Sequence, residues 1–277
     1  MGLFLNSNAA SINAQRNLFN VSNDLNKSLE RLSSGFKINK ASDGAANLVL
    51  SEDLRGQIRG TDAAISNVQQ GVSILNTADG GLQQISGLLQ RARELAVSAS
   101  NGTVTDFTAF NDEYQEIRTA IDAVSTNTQF NGNVLLDGSL SGAAFNIQTG
   151  PDSGDTINIA AAFADGGISG AVGTALATAA ITNTTTASAL IGNVDSAITA
   201  LGTLISDVGG FGTQLANQLD GLTITKENLV SAEASIRNTD IAQETSNLTR
   251  LQVTQQAAAS ALSQANQLPS IALRLLN

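Results

Sequence analysis

The chain has 277 residues, a formal net charge of −10, and neither cysteine nor histidine. That excludes a disulfide, a thiolate nucleophile, an imidazole base and an ordinary zinc site, and the acidic balance argues against a nucleic-acid partner, whose binding needs clustered Lys and Arg. Trp is absent and aromatics make up 4%, so a core must be aliphatic and alanine-rich, which favours helix packed on helix.

The chain opens on a seven-residue repeat. Leu18, Leu25 and Leu32 recur at that spacing, Val21 and Leu29 fill the same face, and Met1 to Asn23 carries one charge, Arg16. The pattern predicts a long, nearly uncharged amphipathic helix. Ser33-Ser34-Gly35 should break it, with a polar connector running to Asp43, and Ser42 or Asp43 should cap a second helix. That helix is expected to reach about Ser100, its apolar side including Leu48, Ile58, Ile65, Val72, Leu75, Leu82, Ile85, Leu89 and Val97. Gly56, Gly60, Gly71, Gly80, Gly81 and Gly87 sit inside it, each costing about 1 kcal/mol of helix propensity against Ala. Tertiary packing must override that cost. Asn101-Gly102-Thr103 is a stop, and a shorter helix is expected from about Asp106 to Asn127.

The period then changes. Phe145 and Ile147, then Ile157 and Ile159, alternate on either side of a turn-rich segment from Thr149 to Asp155, which reads as a β-hairpin. Asp152 and Asp155 favour that turn rather than forming a catalytic carboxylate pair. Ala160 to Thr186 is small and poorly patterned and is expected to form loop or short, weakly packed structure. Asn183-Thr184-Thr185 fits a glycosylation acceptor pattern. A helical pattern returns at about Ala187 and continues to Ser235, with Gly209-Gly210-Phe211-Gly212 a point where the rod is expected to bend or open. From Arg118 to Lys226 no cation intervenes, so this stretch would repel phosphate.

The C-terminal stretch repeats the logic of the first. Ile241, Leu248, Gln255 and Leu262 lie seven apart, and Leu251, Ala258 and Ala265 occupy the position three further on, a helix–helix seam. Thr239 or Asp240 should cap its start, and Pro269 should end or kink it near Leu268. Leu251 to Leu273 is free of charge yet rich in amides and hydroxyls. A bilayer would leave those groups unpaired, so burial against protein is expected and membrane insertion is not. Gly2 to Leu5 is too short an apolar run for a secretory signal, and no run reaches 18 apolar residues; the chain would be cytoplasmic or exported by another route. Two readings of the terminal helices stay open: they close one intramolecular bundle, or copies of the pair pack on each other. The fold class expected is mainly α, a long antiparallel helical bundle or coiled-coil hairpin with a small β-hairpin element.

The segments LERLSSGFKINKASDGAANLVLSEDLRGQIRG (Leu29 to Gly60), LQRARELAVSASNGT (Leu89 to Thr103), TQFNG (Thr128 to Gly132) and the run from Glu227 to Asn277 carry a resemblance to bacterial flagellin over nearly the whole chain, weakest from Gly138 to Asp195. The resemblance implies a non-enzymatic structural protein without a cofactor, polymerising helically into the extracellular flagellar filament used for motility. It implies an inner-tube domain of 1–42 plus 236–277 and a helical rod domain of 43–138 plus 187–235. Residues 139–186 would form the rod's hairpin and loop with no separate outer domain, and so a thin, smooth filament. Leu18, Val21, Leu25, Leu29, Leu32, Ile241, Leu248, Leu251, Ala258, Leu262 and Ala265 would serve polymerisation and the inner tube. Implied partners are copies of the chain itself, an export chaperone on the C-terminal helix, the flagellar type III export apparatus, and the filament cap and hook-junction proteins. The vertebrate innate immune receptor for flagellin would contact Gln90, Arg91, Leu95 and Glu113, residues whose plainer role is subunit contact or solvation. A hook–filament junction protein, which shares terminal helices, is the alternative.

Overall fold

The computed structural model describes residues 8–140, 145–163, 168–176 and 180–276, without the side chains of 161, 169, 171, 174 and 268–276. Six helices dominate: α1 (Ala9–Ser34), α2 (Ala41–Ala99), α3 (Thr108–Asn127), the single turn α4 (Gly173–Leu176), α5 (Thr184–Arg237) and α6 (Ile241–Leu276). Two antiparallel hairpins complete it, β1 (Gln129–Phe130) with β2 (Asn133–Val134), and β3 (Asn146–Gln148) with β4 (Thr156–Asn158). Contacts divide the chain into two compact units, 1–56 with 228–277 and 57–227.

In the first unit α1 packs on α6. Asn8 caps α1 by accepting from the Ser11 amide at 3.1 Å, and Gly35, at φ 75°, ends it by donating to the Arg31 carbonyl at 2.9 Å. That positive φ suits glycine, which has no Cβ to clash. Asp240 caps α6, accepting from Ala242 and Gln243 amides at 2.9 and 3.1 Å. Asp43 works differently from the expected helix cap: its carboxylate reaches back to the Asn39 and Lys40 amides at 3.3 and 3.0 Å, and Gly44 breaks the helical path at φ 155°. Lys27 lies 3.0 Å from the same carboxylate. With the Lys27 ammonium first and the Lys40 amide next, the Asp43 pKa is lowered to about 2. Pro269 neither ends nor breaks α6, which continues to Leu276.

In the second unit one core joins α2, α3, α5 and both hairpins. From α5, Leu190, Val194, Ala197, Leu201, Leu204 and Val208 are buried at alternating spacings of four and three, the stripe of a helix laid along its neighbours. That stripe also gives α5 a window apolar and long enough to cross a membrane by composition; here those side chains face protein. The glycine run 209–212 leaves α5 unbroken, and Phe211 packs against the core.

Glycines of α2 are spent on close approach. A Cβ on Gly60 would lie 2.9 Å from Pro151 Cβ, on Gly71 3.0 Å from Leu215 Cδ1, and on Gly81 2.6 Å from Thr128 Oγ1. These positions, eleven and ten apart, return to one helix face every three turns, so one face of α2 is cut away where the hairpins and α5 sit.

The β3–β4 hairpin pairs Ile147 with Ile157 as its alternation predicts. The described residues of Ala160 to Thr186 correct the expectation of weak packing. Short helical turns do form there, 159–163, 168–172 and α4, but Ile159, Phe163, Ile168, Val172, Leu176 and Ile181 are all buried in the core. The packing is done by these large side chains, which are scattered among Ala, Gly and Thr without a sustained helical or strand period and so give no periodic signal. Asn183 is a helix cap, its Oδ1 accepting from the Thr186 amide at 2.8 Å while Thr186 Oγ1 accepts from the Asn183 amide at 3.0 Å.

Candidate functional site

Two surfaces carry the residues singled out by sequence. The first is the α1/α6 pair. Leu251 and Ala265 are buried on it, and Leu18, Val21, Leu25, Leu32, Leu248, Ala258 and Leu262 are half-buried. Leu29 and Ile241 instead stand exposed at 46% and 52%, turned off the seam.

Polar rungs, which apolar periodicity could not reveal, fix how the two helices match. Asn8 Nδ2 donates to the Ala265 carbonyl at 2.8 Å and Ser11 Oγ to Asn266 Oδ1 at 2.6 Å. Gln255 Nε2 donates to Ser22 Oγ at 3.2 Å and Ser28 Oγ to Glu244 Oε1 at 2.5 Å. From Ser11 through Ser22 to Ser28 the α6 partner moves from Asn266 through Gln255 to Glu244, so the pair is antiparallel. Leucine and alanine tolerate sliding by a turn; hydrogen bonds at fixed positions do not. Glu244, buried beside Ser28, also accepts from Asn247 Nδ2 at 3.3 Å and faces Arg31 at 3.9 Å.

A clasp closes the base of this pair. Phe36 bridges Asn238, the Lys37 amide donates to the Arg237 carbonyl at 2.6 Å, and the Thr239 amide to the Gly35 carbonyl at 2.9 Å. The Arg237 guanidinium sits 4.7 Å above the Phe36 ring and 2.6 Å from Glu52, a charge held by a ring face and a carboxylate. Arg237 lowers the Glu52 pKa, with Arg55 contributing after it.

Several large apolar side chains remain uncovered on this unit. Of the ten large hydrophobic side chains exposed among the described residues, eight belong to this unit: Ile12, Phe19, Leu29, Val49, Leu50, Val230, Ile241 and Val253. Ile12 and Phe19, exposed at 55% and 65%, lie seven apart on a face of α1 other than the Leu18–Leu25–Leu32 seam. That second repeat was legible in the sequence and is absent from the predicted site. Between the helices a shallow groove is lined by Val21, Ala257, Ala258, Ala261, Asn17, Asn20 and Thr254. Clustered exposed apolar surface of this kind marks an interaction site.

The second surface lies on α2 and α3. Arg91 Nε and Nη2 both donate to Glu113 Oε1, at 2.8 and 2.6 Å, and Nη1 donates to Glu94 at 3.2 Å. Glu113 first and Glu94 second raise the Arg91 pKa. Gln90 is exposed alongside. Leu95, four residues on from Arg91, is only 5% exposed and belongs to the core, so Gln90, Arg91 and Glu113 make this surface while Leu95 supports it from beneath. Arg93 pairs with Asp195 of α5 at 2.7 Å.

Among the described residues no group of three or more Asp or Glu is placed to hold a metal ion. Asp152 and Asp155 shape the hairpin loop through backbone bonds, the Asp155 amide donating to the Asp152 carbonyl at 3.3 Å.

Comparison with known proteins bears on both surfaces. Residues 5–141 match the model of the bacterial flagellin N-terminal helical region, and residues 191–276 that of the C-terminal helical region. The chain is 39% identical to a flagellin of Halalkalibacterium halodurans, over 99% of this chain and 100% of that one. It is 35% identical to a flagellin of Bacillus subtilis over 98% of this chain and 99% of that one. A solved structure of a candidate flagellar hook-associated protein from Vibrio parahaemolyticus aligns at TM-score 0.54 and 14% identity, covering 71% of this chain and all of that one, a likeness of fold alone.

Proposed function

The chain belongs to the bacterial flagellin family, and from that premise we propose that its α1/α6 pair and the exposed apolar side chains around it are the surface through which copies join. Flagellins are structural proteins that polymerise into the flagellar filament of motility; they are not enzymes. A hook–filament junction role is not favoured, because the flagellin relatives match end to end.

One observation carries the proposed surface: among the described residues, eight of the ten exposed large hydrophobics fall in the unit built from the two chain ends. Full burial of such a side chain is worth roughly 1.5–3 kcal/mol, and a helical polymer repeats each contact at every subunit. The seam residues Leu18, Val21, Leu25, Leu32, Leu248, Leu251, Ala258, Leu262 and Ala265 hold the pair together. Leu29 and Ile241, with Ile12, Phe19 and Val253, meet neighbouring copies. The pair forms the inner-tube domain, and the unit containing α3 and both hairpins forms the rod domain. The acidic, cation-free middle of the chain keeps separate filaments apart by like-charge repulsion.

The remaining partners follow from the same premise. An export chaperone covers α6 before assembly, the flagellar type III apparatus delivers the unfolded chain outside the cell, and cap and hook-junction proteins meet the two filament ends. The innate immune receptor for flagellin reads the exposed Gln90–Arg91–Glu113 surface of the free subunit. Electron microscopy of the purified chain after salting out tests the assembly surface when wild type is compared with Phe19→Ser. Wild type gives long filaments and the variant few or none; equal polymerisation would remove Phe19 from the interface. Arg91→Ala should weaken receptor activation by the monomer, and an unchanged response would end that part.

A further inference from the structure

Proline lacks an amide hydrogen, so inside a helix it leaves the carbonyl four residues earlier without its partner. In α6 the proline is Pro269 and the carbonyl is that of Ala265. The helix nonetheless runs on to Leu276, and Ala265 is buried at 8% exposure, where an unpaired carbonyl is costly. Its partner comes from the other end of the chain: Asn8 Nδ2 donates to Ala265 O at 2.8 Å. The same side chain uses its Oδ1 to cap α1, accepting the Ser11 amide at 3.1 Å.

We propose that Asn8 is a positioning residue for assembly, a two-headed clip whose amide supplies the hydrogen bond that Pro269 withholds from α6 while its oxygen starts α1. Each half of the carboxamide has a different task. An aspartate or serine keeps the cap but has no donor for Ala265, and a lysine would have the donor without the cap. The clip therefore specifies which turn of α6 stands beside the first turn of α1. Pro269 is the reason that the register has one solution at this end: every other carbonyl on that stretch of α6 up to Ala265 has an amide of its own helix four residues on, and only this one is open to a donor from outside. Ser11 Oγ, 2.6 Å from Asn266 Oδ1, reinforces the same register one residue further along α6.

The test is a double-mutant cycle read as the melting midpoint of filaments, with wild type, Asn8→Ser, Pro269→Ala and the double variant. Formation of wild-type filaments is the separate test of the assembly reading, so its failure and that of the clip are distinguishable. Ser retains an acceptor for the Ser11 amide and is too short to reach Ala265. With Pro269 present, Asn8→Ser should lower the midpoint by roughly 2–4 °C, the shift expected on loss of one buried hydrogen bond. In the Pro269→Ala background, where the restored backbone amide can serve Ala265, the same change should lower it by less than half as much. Equal drops in both backgrounds would overturn the proposal. Should the Pro269→Ala chain not polymerise, amide exchange on Asn8→Ser filaments decides. Faster exchange confined to the first turn of α1 and to α6 beyond Ala265 supports the clip, and exchange identical to wild type overturns it.

Discussion

Gly80 and Gly81 are adjacent on α2 and should respond to alanine with opposite signs. At Gly81 a Cβ would lie 2.6 Å from Thr128 Oγ1, 2.8 Å from Leu136 Cδ1 and 3.0 Å from Thr128 Cγ2. Neither neighbour gives way freely. Thr128 Oγ1 is tied to the Val124 carbonyl at 2.7 Å, and Leu136 is buried in the core. Overpacking of this kind costs about 1–3 kcal/mol, offset by about 1 kcal/mol of helix propensity. The net is a loss of up to about 2 kcal/mol. At Gly80 nothing lies within 4 Å, so Ala brings only the propensity gain of about 0.5–1 kcal/mol. Guanidinium unfolding of the monomeric chain, followed by far-ultraviolet circular dichroism, should place the Gly81→Ala midpoint below wild type and the Gly80→Ala midpoint above it. A Gly81→Ala chain as stable as Gly80→Ala would refute the claim that one face of α2 is cut away to seat α3 and its hairpin.

Three further outcomes are expected. Asp43 has a folded pKa of about 2 against about 3.9 unfolded, so its stabilisation is complete above about pH 4 and lost as pH falls through 2. Unfolding of Asp43→Asn compared with wild type should show a gap at pH 5 that closes near pH 2, and a gap constant with pH would contradict the Lys27 and backbone contacts as its source. Tyr114 is buried, donates to the Leu176 carbonyl at 3.3 Å and has its pKa raised by burial to about 12, so its stabilisation holds below pH 10 and is lost as pH rises through about 12. As this is the sole tyrosine in a chain without tryptophan, ultraviolet titration reads it directly; tyrosinate forming near pH 10 in the folded chain would contradict its burial. Leu262→Ala, at a half-buried seam position, should cost up to about 2 kcal/mol per subunit and raise the critical concentration for filament growth, with unfolding of residues 57–227 unchanged.

Periodicity made the long elements legible. The pattern Ile191, Val194, Ile198, Leu201, Leu204, Ile205 announces α5, and alternation of Phe145 and Ile147, then Ile157 and Ile159, about a turn announces β3–β4, because large side chains report which face is buried. Where large side chains keep no sustained period that signal vanishes. Phe163, Ile168, Val172, Leu176 and Ile181 fill part of the core from a stretch rich in Ala, Gly and Thr, and the glycines of α2 look like helix breakers until their neighbours are known. The β1–β2 hairpin did carry a local sign, Asn131-Gly132 at positive φ of 50° and 81°, the pair suited to a two-residue turn. On the α1/α6 surface the seam leucines were readable. Ser28, Glu244 and Asn8 were not, since a polar residue's role as a rung depends on what stands opposite it. Pro269 misled for the same reason: its penalty was reckoned from one helix, and the compensating donor sits 257 positions from Ala265, at Asn8.

The most direct measurement is a cryo-electron-microscopy reconstruction of filaments grown from this chain. The account predicts α1 and α6 innermost, antiparallel with Asn8 beside Ala265, and Ile12, Phe19 and Val253 covered by neighbouring copies. A filament in which those three side chains face solvent, with subunits joined only through residues 57–227, would contradict it.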